Sequence, residues 1–384
     1  MNKMIYLCAA AALSLASCSN DETVEMAKGN AINFRTVAGL NTRGVETTQA
    51  NLASISVKAY EASGNLFFNP TNFTREGTSN TFVSNPEYFW PKNGTTLHFL
   101  ALSPAAGDWK AEANDLTFDG GDVKATFTNI TPATDVAEQK DLLIGKASGT
   151  ANTDGNGLDL QLQHVLSQIQ VQAKNSNTGY VYEIKGVRIA SVASKGSYSY
   201  PTTGWTVGTD KATYDVILDQ AIELDGTTDK TLAVLMKDKG NKVYDNAMLI
   251  PQALTPWAGT TATSGNTFDN GSYISLLLNV RPAGEADKVA YIYPKGSTSA
   301  AKTYGWAAVP VNTTWEAGHK YIYTLDLSKG AGKVDPVEPN PDPNQPTVDP
   351  GTKDPDKGEQ IFGDPIKFDV EVTEWTSENK EENM

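Results

Sequence analysis

Leu158-Asp159-Leu160-Gln161-Leu162-Gln163-His164-Val165-Leu166-Ser167-Gln168-Ile169-Gln170-Val171-Gln172-Ala173 reads as strand at both ends and as a fault in the middle. Apolar and polar residues alternate with period 2, the pattern of a half-buried strand. Leu160, Leu162 and His164 share one phase; Ile169, Val171 and Ala173 share the other. A slip of one residue sends every later side chain to the opposite face, so the change around Leu166-Ser167 predicts a bulge or bend. A helical turn over 165–168 is the competing reading.

The alternation extends outward from this stretch. Short strands are expected at 31–37, 52–60, 97–102, 116–118, 123–127 and 141–144, at the spacing of β-sandwiches. Ser63-Gly64-Asn65 is a tight turn before Leu66-Phe67-Phe68, and Asp154-Gly155-Asn156-Gly157 reads as a hairpin turn rather than a calcium loop. Strands resume at 180–190, 196–200, 214–218, 232–236, 248–250, 273–280, 289–293 and 320–327. Helical signals are scarce. The fold class is all-β, with two tandem β-sandwich domains over 44–175 and 176–329, divided at the polar run 174–179.

Residues 330–365 differ in kind. Asp335-Pro336, Pro339-Asn340-Pro341-Asp342-Pro343, Asp349-Pro350 and Asp354-Pro355 leave few large apolar groups, so the stretch is expected to act as an extended linker. At about 3.1 Å per residue, thirty such residues span on the order of 90 Å. The tail 366–384 follows. Ile366, Phe368, Val370 and Val372 point one way, while Lys367, Asp369, Glu371 and Thr373 point the other. No other strand in the chain is so cleanly amphipathic.

The N-terminus carries Lys3 and then an uncharged run to Ala16, too short to span a bilayer as a permanent helix. Leu15-Ala16-Ser17-Cys18 resembles a lipobox, which implies signal cleavage between Ser17 and Cys18 and acylation of the cysteine, palmitate included. Residues 1–17 are then the signal peptide and 18–43 a tether with the strand of Ile32 and Phe34. Cys8 lies inside the signal, so no disulfide, thiolate metal site or catalytic cysteine is expected in the folded body. The net charge of −14 disfavours nucleic acid as a partner.

No catalytic, metal or cofactor site is expected. His98, His164 and His319 lack ligand spacing, no nucleophile elbow occurs, and Gly330-Ala331-Gly332-Lys333 lacks the pattern of a phosphate loop. Arg43-Gly44 in a polar loop is an accessible target for a trypsin-like protease; Arg35, inside a strand, is a second and less accessible candidate.

Together the lipobox, Tyr88-Phe89-Trp90-Pro91, Leu97-His98-Phe99-Leu100-Ala101, Asp141-Leu142-Leu143, Leu162 to Ile169, Met248-Leu249-Ile250-Pro251-Gln252, Trp315 to Tyr323 and Val372-Thr373-Glu374-Trp375 resemble the fimbrillins, subunits of type V pili of Bacteroidia. That resemblance implies transthyretin-like, Greek-key sandwiches. It also implies a lipoprotein precursor delivered to the cell outer membrane and then assembled into an extracellular fimbrium that supports adhesion. Cleavage after Arg43 would remove the strand of Ile32 and Phe34 and open a groove. A neighbouring subunit's tail (Ile366, Phe368, Val370 and Val372 here) would fill it by strand exchange. Burying four such side chains contributes very roughly 6–12 kcal/mol before entropy costs. Expected partners are other pilus subunits, an arginine-directed protease, the outer membrane through the lipid, and a host glycan or protein. Trp205, Trp257 and Trp306, in loop-like contexts, keep a tip adhesin open, although such tryptophans more often plug or cap a core than bind glycan. The alternative is a glycan-binding or pilus-anchor lipoprotein that keeps its lipid.

Overall fold

The computed structural model describes residues 26–37, 51–105, 107, 112–201, 204–236, 246–259, 271–337 and 354–374. Its strands begin with β1 (Met26–Ala31), β2 (Phe34–Val37), β3 (Ser54–Glu61), β4 (Leu66–Arg75), β5 (Thr81–Ser84) and β6 (Phe89–Pro91). There follow β7 (Leu97–Ser103), β8 (Glu112–Asp119), β9 (Asp122–Ile130), β10 (Leu143–Gly149), β11 (Leu158–Gln161), β12 (Gln163–His164) and β13 (Ser167–Lys174). Next come β14 (Tyr180–Ala193), β15 (Gly196–Tyr200), β16 (Gly204–Val207), β17 (Lys211–Leu224), β18 (Leu232–Val234) and β19 (Ala247–Leu249). The last are β20 (Tyr273–Pro282), β21 (Gly305–Pro310), β22 (His319–Asp326), β23 (Gly330–Val334), β24 (Gln360–Gly363) and β25 (Lys367–Glu374). The all-β expectation holds.

In the N-terminal part, eight strands form one sheet in the order β11-β2-β5-β4-β3-β7-β10-β12. Its two edge strands, β11 and β12, are separated in the chain only by Leu162, so the sheet curls round until its ends nearly meet. Inside the curl lies a core of Phe34, Phe73, Phe82, Trp90, Phe99 and Leu160. Residues of the opposite phase, such as Tyr60, Leu100 and Ile144, face a four-stranded sheet β16-β15-β9-β8 across a second core. Alternation makes both cores possible: successive side chains of β7 leave the sheet on opposite sides.

A third core lies between the sheet β18-β13-β22-β25, with β19 also on β13, and the sheet β17-β14-β20-β21-β23-β24. Ile274, Leu276, Leu278 and Val280 of β20 point into it. Leu277 points away and is still buried, against Tyr304 and Trp306. Cover on both faces explains why β20 is apolar almost without a break.

The stretch 158–173 threads all three cores. Leu158, Leu160 and Leu162 belong to the first, Val165 and Leu166 to the second, and Ile169, Val171 and Ala173 to the third. The change of phase is a bend at 165–166, not a helical turn. It marks where the chain leaves one sheet for another.

Several expectations need correction. Strand β13, expected in the N-terminal unit, pairs with β22 in parallel and with β18 and β19 antiparallel. Conversely β15, from beyond the expected boundary, pairs with β9. Residues 151–154 form a one-turn helix in which Asp154 accepts from the Thr150 amide, so the following Gly157 does not close a two-residue hairpin. Within 289–293 only an isolated bridge, Tyr293 to Val280, is present; Pro294 next to it has no N–H to extend a ladder.

The largest correction concerns 330–365. Strands β23 and β24 sit inside that span and pair with each other, and Ala331, Val334 and Ile361 join the third core. Short apolar residues between glycines were enough to continue the sheet. The segment thus leaves and rejoins one sheet edge, and the reach of about 90 Å does not apply.

Candidate functional site

The site has two halves: the first strands and the last one. Strand β1 pairs antiparallel with β6, and the Ile32 amide donates to Tyr88 O at 2.7 Å. Strand β2 then enters the eight-stranded sheet between β5, to which it is antiparallel, and β11, to which it is parallel. Ile32, Phe34 and Thr36 point inward and are buried. The Phe34 ring meets Phe73 at 4.9 Å and Phe99 at 5.1 Å, both edge to face, the geometry that aromatic quadrupoles favour.

The close approach of β11 depends on Gly157. Its φ is +119°, and a Cβ there would stand 2.6 Å from Asn33 Oδ1. On the outer side, Arg35 Nε lies 2.9 Å from Asp159 Oδ1, with side chains 52% and 75% exposed. A chain lacking β2 would leave backbone donors and acceptors of β5 and β11 unpaired, beside a vacant slot in an aromatic core.

At the other end, β25 lies antiparallel on β22, an edge position, with Phe368 opposite Leu325 and Val370 opposite Tyr323. Its apolar row is covered unevenly. Ile366 is buried against the third core, Phe368 and Val370 are half-buried, and Val372 is 50% exposed. Ile366 also packs over Gly332, where a Cβ would come within 2.9 Å of its Cδ1. Beside Ile366 and Phe368 opens a cleft of about 330 Å³, walled by Trp257, Val309, Pro310 and Lys333.

The root of the Pro/Asp-rich segment is fixed by a cluster that the sequence did not disclose. Asp335 accepts hydrogen bonds from Ser275 Oγ at 2.6 Å, the Val337 amide at 2.8 Å and Tyr273 OH at 3.1 Å, with Arg188 Nη1 at 3.4 Å. Arg188 holds Asp215 through two bonds of 2.9 and 3.0 Å and lies 4.1 Å from the Trp306 ring centroid. Complete burial raises the Asp335 pKa above the usual carboxylate value, against the pull of Arg188, Ser275, Val337 and Tyr273. Burial acts to lower the Arg188 pKa, but Asp215 and Asp335 outweigh it and the guanidinium stays charged. An Asp-Pro pair within a Pro-rich run looks solvent-exposed in one dimension; only the fold buries it.

Toward the far end of that segment, the Lys295 amide donates to Asp354 Oδ1 at 2.9 Å and the Gly358 amide to Val334 O. Only 364–366 separate β24 from β25.

Ser17, Cys18, Arg43 and Gly44 lie outside the described residues, as does Trp375. Trp257 and Trp306 are buried, which closes their ring faces, and Trp205 is half-buried with its indole donating to Val165 O. His98 bonds Ser148 Oγ at 2.8 Å, and burial lowers its pKa. Among the described residues no group of three His, Cys, Asp or Glu side chains is arranged to hold a metal, and no helix is long and apolar enough to cross a membrane.

Curled and layered sheets, mostly antiparallel, with β2 filling a core define an all-β protein. A family model described as fimbrillin-like matches residues 41–340, and the chain belongs to that family. A fimbrial protein from Bacteroides vulgatus has a similar fold at 14% identity, covering 90% of this chain and 99% of that one, with a TM-score of 0.52. Proposed cell adhesion proteins from Parabacteroides distasonis (12% identity, 90% and 98% covered, TM-score 0.46) and Bacteroides uniformis (13%, 91% and 100%, 0.43) are also similar. No curated protein matches the chain.

Proposed function

We propose that this protein is a structural subunit, shaft or tip, of a type V pilus that supports adhesion. It is made as a lipoprotein with signal peptide 1–17 and lipidated Cys18, and it assembles by strand exchange. Cleavage between Arg43 and Gly44 frees the segment that carries β1 and β2. The slot between β5 and β11 then takes the tail strand of a neighbouring subunit. The lipid goes with the discarded segment, so the precursor belongs to the outer membrane and the working form to the extracellular fimbrium.

The observation that carries this reading is the setting of β2. Four residues with a fully buried phenylalanine sit between β5 and β11, and the chain goes on to β3 through residues 38–53, which include Arg43. Strand β25, on a sheet edge with its apolar row half-covered, is the matching donor. Before assembly it rests on β22, and donation requires its release. Because only 364–366 join it to β24, donor and acceptor domains have to abut.

N-terminal sequencing of the surface-assembled protein tests the reading. It is expected to begin at Gly44. A mature terminus at lipidated Cys18 alone would instead favour the anchor or glycan-binding lipoprotein.

A further inference from the structure

The first and last strands carry the same inward motif. Ile32-Asn33-Phe34-Arg35-Thr36 and Ile366-Lys367-Phe368-Asp369-Val370 agree at the isoleucine and the phenylalanine, and valine has the shape of threonine at the third position. Overlaid in the direction in which β2 runs, the tail puts Asp369 where Arg35 stands. There Arg35 faces Asp159 of β11 in register, at 2.9 Å.

Resting on the strand-exchange reading above, we infer that Asp159 selects the incoming strand by charge. The groove of this subunit takes a strand from a different subunit, one with Lys or Arg where this chain has Asp369. This chain's own tail fits the floor of the groove and fails at its rim.

Sliding the tail does not relieve the conflict. If Ile366 takes the Phe34 position, Lys367 faces Asp159, but Asp364 enters the buried site of Ile32, and an unpaired charge there is costly. A shift the other way puts Phe368 and Val370 in the two apolar sites and Glu371 against Asp159. A further shift puts Glu374 into the buried site of Thr36. Of these registers, those that put uncharged groups in the sites of Ile32, Phe34 and Thr36 face Asp159 with an acid.

Reversing the strand puts Lys367 opposite Asp159. It also forces Ile366 into the threonine site and Val370 into the isoleucine site. Inward packing outweighs an exposed ion pair, so fit fixes the direction and charge decides between donors that fit.

The test is a competition on the full chain. It is cut by an arginine-specific protease in the presence of equal amounts of two synthetic strands, the tail 364–376 and the same peptide with Asp369→Lys. Native mass spectrometry weighs what each complex retains. At low salt the D369K strand is expected at about fivefold the natural one, since an exposed like-charge contact becomes an attractive one. The preference should fade in roughly 1 M salt, where screening shortens to about 3 Å, and vanish in an Asp159→Asn chain. Equal retention at low salt overturns the inference. So does a preference that responds to Lys367→Glu instead, which would mean the reversed strand. Retention of neither peptide rejects strand exchange itself and the selectivity with it.

Discussion

Phe34 meets Phe73 edge to face, 4.9 Å between centroids and 76° between planes, so β2 is part of the aromatic core and not a cover laid over it. Replacing Phe34 by alanine in the uncut chain is expected to lower stability by about 3–5 kcal/mol, the usual cost of emptying a buried phenylalanine site. Urea unfolding measures it. A loss under about 1 kcal/mol would mean that the core closes without β2.

Gly157 controls how near β11 comes to β2. Gly157→Ala combines a positive φ with a Cβ 2.6 Å from Asn33 Oδ1, and about 1–3 kcal/mol of destabilisation is expected. Adding Asn33→Ala removes the clash but not the φ strain. A double-mutant cycle should therefore show partial recovery. Additive losses would place the whole cost in the backbone.

Removing residues 364–384 takes Ile366, Phe368 and β25 off the third core. The shortened chain is expected to stay folded with a lower Tm and to form no SDS-resistant ladders. Unchanged ladders would reject β25 as the donor.

Asp335 ties the root of the Pro/Asp-rich segment to Arg188. Asp335→Ala leaves Arg188, Ser275 and Tyr273 without that acceptor, and a loss of about 3–5 kcal/mol is expected, as for a broken buried ion pair. A second readout is the pH dependence. The folded pKa of Asp335 is raised, so above the unfolded value near 3.9 the native state binds more protons than the unfolded one, and stability falls as pH rises through that window. Asp335→Asn removes this contribution alone. The stability of wild type relative to Asp335→Asn should decline from about pH 4 upward; a rise would reverse the assigned direction.

Much of the fold was legible because a strand writes its burial into alternate residues. Ile366, Phe368 and Val370 against Lys367, Asp369 and Glu371 could be read without any partner strand. The two halves of 158–173 could also be assigned to opposite faces. The site was less legible. Alternation says which face of β2 is buried, but not that β5 and β11 flank it, because pairing partners far apart in the chain leave no mark on local period.

By itself the sequence determined the strand class, the buried row of each strand, the fault at Leu166-Ser167 and the likeness of the first and last strands. Tertiary structure alone decided that the fault passes the chain from one core to another. It also decided that β23 and β24 turn an expected tether into a sheet edge, and that Asp335 is buried beside Arg188. The physical reason is common to all three. Period 2 depends on a strand's own neighbours, whereas sheet order, ion-pair partners and the register of Arg35 against Asp159 depend on contacts between distant segments.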